Sequence, residues 1–213
     1  MRILAGLMIA AACSTPVSSP GPSPSQPVPP SGNGPAVATY TLGPVATPSG
    51  GAPATLGTRT VTIKEWPVPR GSAPHDVAPA ADGGIWYTAQ ASGELGWLDP
   101  RTGQTRHVAL GAGSRPHGVI LGPDGAPWIT DSGLNAIIRV APRTSEVQVF
   151  ALPEGTPNVN LNTAVFDTQG TLWWTGQGGF FGRLGRDGSM QVFEAPRGRG
   201  PYGITARPDG TVY

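Results

Sequence analysis

Four residues of the 213-residue chain, His75, His117, Asn162 and Tyr202, occupy one position of a repeated segment. An imidazole exchanges a proton near neutral pH, and amide and phenol groups donate hydrogen bonds. Side chains of these types converging at one place can orient a ligand or stabilise an oxyanion. The plainer alternative is that each bonds the backbone of a neighbouring repeat and marks the fold. Both readings stand at this level. Elsewhere the chemistry is thin. There is no Gly-rich phosphate loop, no His-x-x-x-His spacing and no Ser-centred nucleophile elbow. Three His and one Cys disfavour zinc. Asp131 follows Trp128-Ile129-Thr130 and suits a turn before Ser132-Gly133 better than a channel role. His107 is expected on an outer strand, solvated.

The element that must position the four residues is a repeat. Pro74-His75-Asp76-Val77 with Asp82-Gly83-Gly84-Ile85-Trp86-Tyr87-Thr88 returns as Pro116-His117-Gly118-Val119 with Asp124-Gly125-Ala126-Pro127-Trp128-Ile129-Thr130. A third copy runs from Asn162-Thr163-Ala164-Val165 to Gln169-Gly170-Thr171-Leu172-Trp173-Trp174-Thr175. A fourth begins at Pro201-Tyr202-Gly203-Ile204 and reaches Asp209-Gly210-Thr211-Val212-Tyr213. Trp86, Trp128, Trp173 and Tyr213 are 42, 45 and 40 residues apart, a length suited to one four-stranded propeller blade. The fold class is therefore all-β, a β-propeller, with about three and a half blades in the chain.

Turn chemistry places the strands. Asp82-Gly83 and Asp124-Gly125 are hairpin turns because Gly accepts positive φ, and Asp99-Pro100-Arg101-Thr102-Gly103 is another. The first blade should have strands near His75 to Pro79, Ile85 to Ala89, Glu94 to Asp99 and Thr105 to Leu110. The four site residues then stand just before the first, channel-lining strand of each blade, while Trp86, Trp128 and Trp173 pack between blades. Thr60 to Val68, centred on Trp66, shares a register with Val108, Phe150 and Phe193 at spacings of 42, 42 and 43. It reads as an outer strand that closes the ring by completing a last blade. No complete last blade follows in the sequence, which reads as an incomplete product of a longer propeller.

The 32 Gly and 25 Pro, about 27 per cent together, are unevenly spread. Ser14 to Gly57 holds no Asp, Glu, Lys or Arg and cannot bury enough apolar surface to offset chain entropy. We expect residues 13–58 to be a disordered tether and residues 59–213 to be the partial propeller. At about 3.1 Å per residue the tether reaches on the order of 140 Å at most. The globular part carries 13 acidic and 13 basic residues, so its net charge is zero. That gives no electrostatic reason to seek nucleic acid or anionic lipid. Met1-Arg2, the uncharged Ile3 to Ala12 and then Cys13 read as a signal peptide over residues 1–12, too short to span a bilayer. Ala10-Ala11-Ala12-Cys13 resembles a bacterial lipoprotein box, with Ala10 where Leu is usual. An exported lipoprotein acylated at Cys13 is expected, with a secreted or periplasmic protein cleaved after Ala12 as the alternative.

The Pro-His-(Asp/Gly)-Val and Asp-Gly-x-x-Trp-(Tyr/Ile)-Thr repeats, with Ile138-Arg139-Val140 and Gly182-Arg183-Leu184 in the third-strand position, resemble the virginiamycin B lyase (streptogramin lyase) family over Trp66 to Tyr213. NHL-repeat and gluconolactonase-like propellers share the Asp-Gly…Trp element, and Pro-His-Gly tilts the choice. The resemblance implies a seven-bladed propeller that opens cyclic streptogramin B antibiotics at their ester by elimination, assisted by magnesium. Such chemistry needs a base for a proton α to a carbonyl, and a cation or hydrogen-bond donors for the enolate. The family's His and acidic residues lie largely in later blades, so no catalytic or metal residue is carried over. A small cyclic peptide or other channel ligand is the implied partner, and a monomer is expected, touching a membrane through its lipid alone. The rival functions are a tethered propeller that binds protein or glycan without turnover, and a lactonase-like enzyme with carboxylates converging on a metal.

Overall fold

The computed structural model describes residues 2–4, 36–42 and 59–213. Two compact units result. In the smaller, β1 (Arg2–Leu4), β2 (Ala36–Leu42) and β3 (Arg59–Pro67) form an antiparallel sheet in the order β1-β3-β2. The strand expected at Thr60 to Val68 therefore forms, and its ladders run to β1 and β2. Its partner β2, Ala36-Val37-Ala38-Thr39-Tyr40-Thr41-Leu42, is a seven-residue strand within the span expected to be a tether. The segment is free of Pro and Gly and rich in β-branched and aromatic residues, which suit an extended paired backbone. Cys13 and the rest of the expected signal and tether lie outside the described residues.

The larger unit holds three four-stranded antiparallel sheets, each in up-and-down order. The first comprises β4 (Pro74–Pro79), β5 (Ile85–Ala89), β6 (Glu94–Leu98) and β7 (Thr105–Ala109). The second comprises β8 (Pro116–Leu121), β9 (Pro127–Asp131), β10 (Ala136–Val140) and β11 (Val147–Ala151). The third comprises β12 (Leu161–Phe166), β13 (Leu172–Gly176), β14 (Phe180–Leu184) and β15 (Met190–Glu194). Beyond β15, Thr205 and Tyr213 exchange backbone hydrogen bonds around an Ala206–Val212 bridge, a hairpin in the fourth copy of the repeat. Among the described residues all regular structure is β. The first strands β4, β8 and β12 neighbour one another and are the inner strands. On the outer strands Val149 and Phe193 are exposed.

Blade two packs against a neighbour on both faces, so its middle strands bury consecutive residues. Ile137 and Ile138 on β10 are both fully buried but belong to different cores. Ile138 joins Ala78, Trp86, Leu95 and Leu110 between blades one and two; Ile137 joins Leu161, Leu172, Trp174 and Leu184 between blades two and three. Burying each such side chain stabilises the fold by about 1.5–3 kcal/mol. The expected tryptophan packing holds for Trp86, and for Trp128, which lies flat on Phe150 and edge-on to Phe166. The hairpin-turn carboxylates hold indoles: Trp128 Nε1 donates to Asp124 and Trp173 Nε1 to Asp167. In blade one Trp97 takes Asp82 instead, and the buried Trp86 Nε1 has no hydrogen-bond partner among the described residues. Burial opposes ionisation of Asp124, but hydrogen bonds from Arg139, Trp128 and the Ala126 N–H outweigh it and hold the carboxyl below its usual range.

Large side chains on second strands require glycine on third strands. Tyr87, fully buried, lies across Gly96, where a Cβ would come within 2.1 Å of its ring, and reaches His107 two strands away. Trp174 crosses Gly182 in the same way. His107 is thus not solvated, as the outer-strand position suggested. Its side chain is 16% exposed, with Nε2 2.7 Å from the Tyr87 hydroxyl and Nδ1 3.1 Å from Glu94 Oε2. An outer-strand residue faces solvent or the sheet beneath, and here the gap over Gly96 draws it inward.

Candidate functional site

The site is built on irregularities in three first strands. Each pairs with its second strand at both ends but slips register between Pro74 and Val77, between Pro116 and Val119, and between Leu161 and Ala164. His75, His117 and Asn162 fall in these bulges. They lie inside the first strands, one residue from their starts, and not ahead of them. A bulge leaves backbone groups outside the ladder and re-aims the side chain it carries.

Those backbone groups are claimed by one threonine per blade. Thr88 Oγ1 accepts from Asp76 N at 2.9 Å and donates to the His117 carbonyl at 2.8 Å. Thr130 Oγ1 accepts from Gly118 N at 2.9 Å and donates to the Asn162 carbonyl. Thr175 Oγ1 accepts from Thr163 N at 3.3 Å and donates to the Tyr202 carbonyl. Each hydroxyl therefore ties its own blade's inner strand to the next blade. Gly118 fits because a Cβ there would meet the Asn162 carbonyl at 2.6 Å. Sequence reasoning passed over these threonines. The signal was present, since Thr88, Thr130 and Thr175 end the same motif in three copies.

With scaffolding done by backbone, the side chains are free to meet. The rings of His75 and His117 lie 3.9 Å apart between centroids, tilted by 48°. Asn162 Nδ2 is 3.2 Å from His117 Nε2, while its Oδ1 accepts from Thr163 Oγ1 at 2.7 Å. In this amide orientation His117 Nε2 is the acceptor and carries no proton. His75 is exposed, His117 half-buried and Asn162 buried. Burial, then the neighbouring charge of His75, pushes the His117 imidazole below its usual range, against the Asp76 carboxylate and the Asn162 backbone. It is held neutral at neutral pH. Tyr202 does not join: its carbonyl takes the Thr175 bond, but its side chain is 58% exposed, outside any strand. Three of the four expected residues come together.

The carboxylates nearby are occupied. Asp76 accepts from its neighbour Val77 N at 2.9 Å through Oδ1 and from Val119 N at 3.3 Å through Oδ2, a second inter-blade tie. Asp131, fully buried, accepts from Arg115, Gly133 and Leu134 N–H groups and from the Ser114 hydroxyl, the turn role expected of it. Among the described residues no three His, Cys, Asp or Glu side chains gather as a metal would need. Magnesium prefers octahedral oxygen ligation, and the two imidazoles, one amide and Asp76, whose oxygens each already accept a backbone N–H, do not fit it. Beside His117 opens a cleft of about 520 Å³ lined by polar loops of blades one to three. A larger hollow of about 600 Å³ lies at the other ends of blades two and three, against Asp124, Trp128 and Asp167, far along the strands from the histidines.

Comparison with known proteins adds to this geometry. A model of the virginiamycin B lyase family matches residues 104–213. Virginiamycin B lyase from Staphylococcus aureus is 28% identical with a TM-score of 0.64, covering 70% of this chain and 51% of its own. A catalytically inactive histidine-to-alanine variant of that enzyme with quinupristin is also 28% identical, with a TM-score of 0.58, covering 63% and 45%. A streptogramin B lyase structure is 23% identical with a TM-score of 0.61, covering 71% and 57%, which supports the fold. The chain spans about half the length of these lyase structures. No curated protein sequence matches it.

Proposed function

Because this chain belongs to the virginiamycin B lyase family, we propose that it receives a cyclic streptogramin B depsipeptide at the mouth formed by its inner strands and serves eliminative opening of the ester. In that reaction a base removes a proton α to a carbonyl, and the freed electron pair forms a new C=C bond. The ester C–O bond breaks and its electrons leave with the carboxylate, so no water is consumed. The observation that carries the reading is the division of labour at the bulges, where threonine hydroxyls and main-chain groups hold the blades while His75, His117 and Asn162 turn to one another. A neutral His117 fixed by Asn162 suits hydrogen bonding to the amide and ester groups of a depsipeptide. Magnesium enters this proposal through the family resemblance alone. Export and acylation at Cys13 belong to the same proposal.

One observation favours a second reading, ligand binding without turnover by this chain. Among the described residues no carboxylate with a free oxygen touches the histidine pair. For the 213-residue chain we therefore expect binding and no ring opening, even with magnesium. Titrating quinupristin into the labelled chain should move the His117 and Gly118 resonances, and His117→Ala should weaken binding. An unchanged spectrum at millimolar quinupristin would sink the substrate class. Ring opening, followed by chromatography, that disappears in His117→Ala would show that these blades carry the chemistry themselves.

A further inference from the structure

The cleft beside His117 is lined by Gln90, Arg115, His117, Ser132, Asn158 and Asn160 with two glycines, and holds no carboxylate. Next to it, sharing Asn158 and Asn160, a hollow of about 480 Å³ carries Arg199 with Gln177 and again no carboxylate. Both guanidiniums are on exposed residues and meet no ion-pair partner among the described residues, whereas Arg101, Arg106, Arg139 and Arg207 each sit against an Asp. Asp131, beneath the cleft, is fully buried and spends its oxygens on Ser114, Arg115, Gly133 and Leu134, and Asp76, on the far side of His117, spends its own on Val77 and Val119 N–H groups. The amides between the arginines are fixed by the fold. Asn158 Nδ2 donates to the Ser132 carbonyl at 2.8 Å, and its Oδ1 accepts from Asn160 N at 2.8 Å. Asn160 Nδ2 donates to Gln177 Oε1 at 3.1 Å. The result is a rigid polar floor with unneutralised positive charge on two sides.

We propose that this cleft is a carboxylate-binding site, with Arg115 as the principal anion ligand and Arg199 flanking it. A guanidinium pairs a carboxylate through two parallel N–H donors, a geometry that neutral amide or ester carbonyls use only in part. Resting on the reading above, the carboxylate is the one released when the ester breaks: the cyclic depsipeptide has none at that position, and the opened chain has one. The cleft then distinguishes product from substrate by charge, next to the imidazole that is kept neutral.

The test needs no turnover. Affinities are measured by calorimetry at low ionic strength for two pairs of probes: N-acetyl-phenylalanine against its amide, and ring-opened quinupristin against the cyclic form. Wild-type chain should favour the carboxylate member of each pair about tenfold, as a charge-assisted hydrogen bond on an exposed residue allows. Arg115→Gln should abolish the preference, Arg115→Lys should retain part of it, and amide spectra should show all three folded. Equal affinities within both pairs overturn the site, as does a preference that survives Arg115→Gln combined with Arg199→Gln. If both forms of quinupristin bind equally and N-acetyl-phenylalanine is not preferred over its amide, the substrate reading stands and the carboxylate site falls. If neither form binds while N-acetyl-phenylalanine is still preferred over its amide, the site stands and the substrate reading falls.

Discussion

Replacing Thr130 by Val keeps the shape of the side chain and removes its hydroxyl, which tests whether the threonines join the blades. Thr130 is 1% exposed, and its Oγ1 serves two backbone groups that the bulges leave outside the ladders: the Gly118 N–H and the Asn162 carbonyl. A buried polar group left without a partner costs about 1–3 kcal/mol. Two such groups give about 2–6 kcal/mol, from which the better burial of a methyl recovers roughly 1 kcal/mol, so a loss of about 1–5 kcal/mol is expected. With a slope of about 2 kcal/mol per molar in urea, the midpoint should fall by roughly 0.5–2.5 M at unchanged slope. Thr130→Ser keeps the hydroxyl and deletes one methyl, for about 1 kcal/mol. Urea unfolding of the three proteins decides the matter. If the Val variant is no less stable than the Ser variant, the hydroxyl does not join blade two to blade three.

Further outcomes follow from the same geometry. The lowered His117 pKa means that the unfolded chain binds more protons than the folded one between the folded value and the ordinary 6.5. Stability should therefore rise with pH across that window and be lost as pH falls through 6.5, and the difference between wild type and His117→Gln should narrow there in urea titrations. At neutral pH the nitrogen spectrum of His117 should show an unprotonated Nε2, and a protonated Nε2 would refute the Asn162 contact. Tyr87→Phe removes the bond to His107 and should cost about 1 kcal/mol. Burial, with the Glu94 charge adding to it, raises the Tyr87 pKa far above the ordinary value, so this phenol should stay un-ionised in ultraviolet titration until the fold is lost. Under the export proposal, Cys13→Ser should release the protein from the membrane fraction, and retention with the signal still cleaved would exclude acylation at that residue.

The sequence by itself determined the blade, its period and most of its strand limits. Asp-Gly turns and apolar runs are local signals: Gly83 and Gly125 take the positive φ that their turns require, and β5 spans Ile85–Ala89 as expected. It also aligned His75, His117 and Asn162, because equivalent residues of adjacent blades occupy equivalent places. Only the tertiary structure decided how those residues are used. Whether a bulge occurs at Pro116–Val119, and whether Thr130 reaches another blade's carbonyl, depends on contacts across 32 residues of chain. Tyr202 shows the limit of alignment, since it shares the repeat position but its side chain stays in solvent. His107 shows it too, turned inward by a gap that exists only because Gly96 and Tyr87 lie side by side. The pairing of β3 with β1 and β2 likewise could not be read from its register with the outer strands, because strand periodicity records which residues can lie in a sheet and leaves the partner to long-range packing.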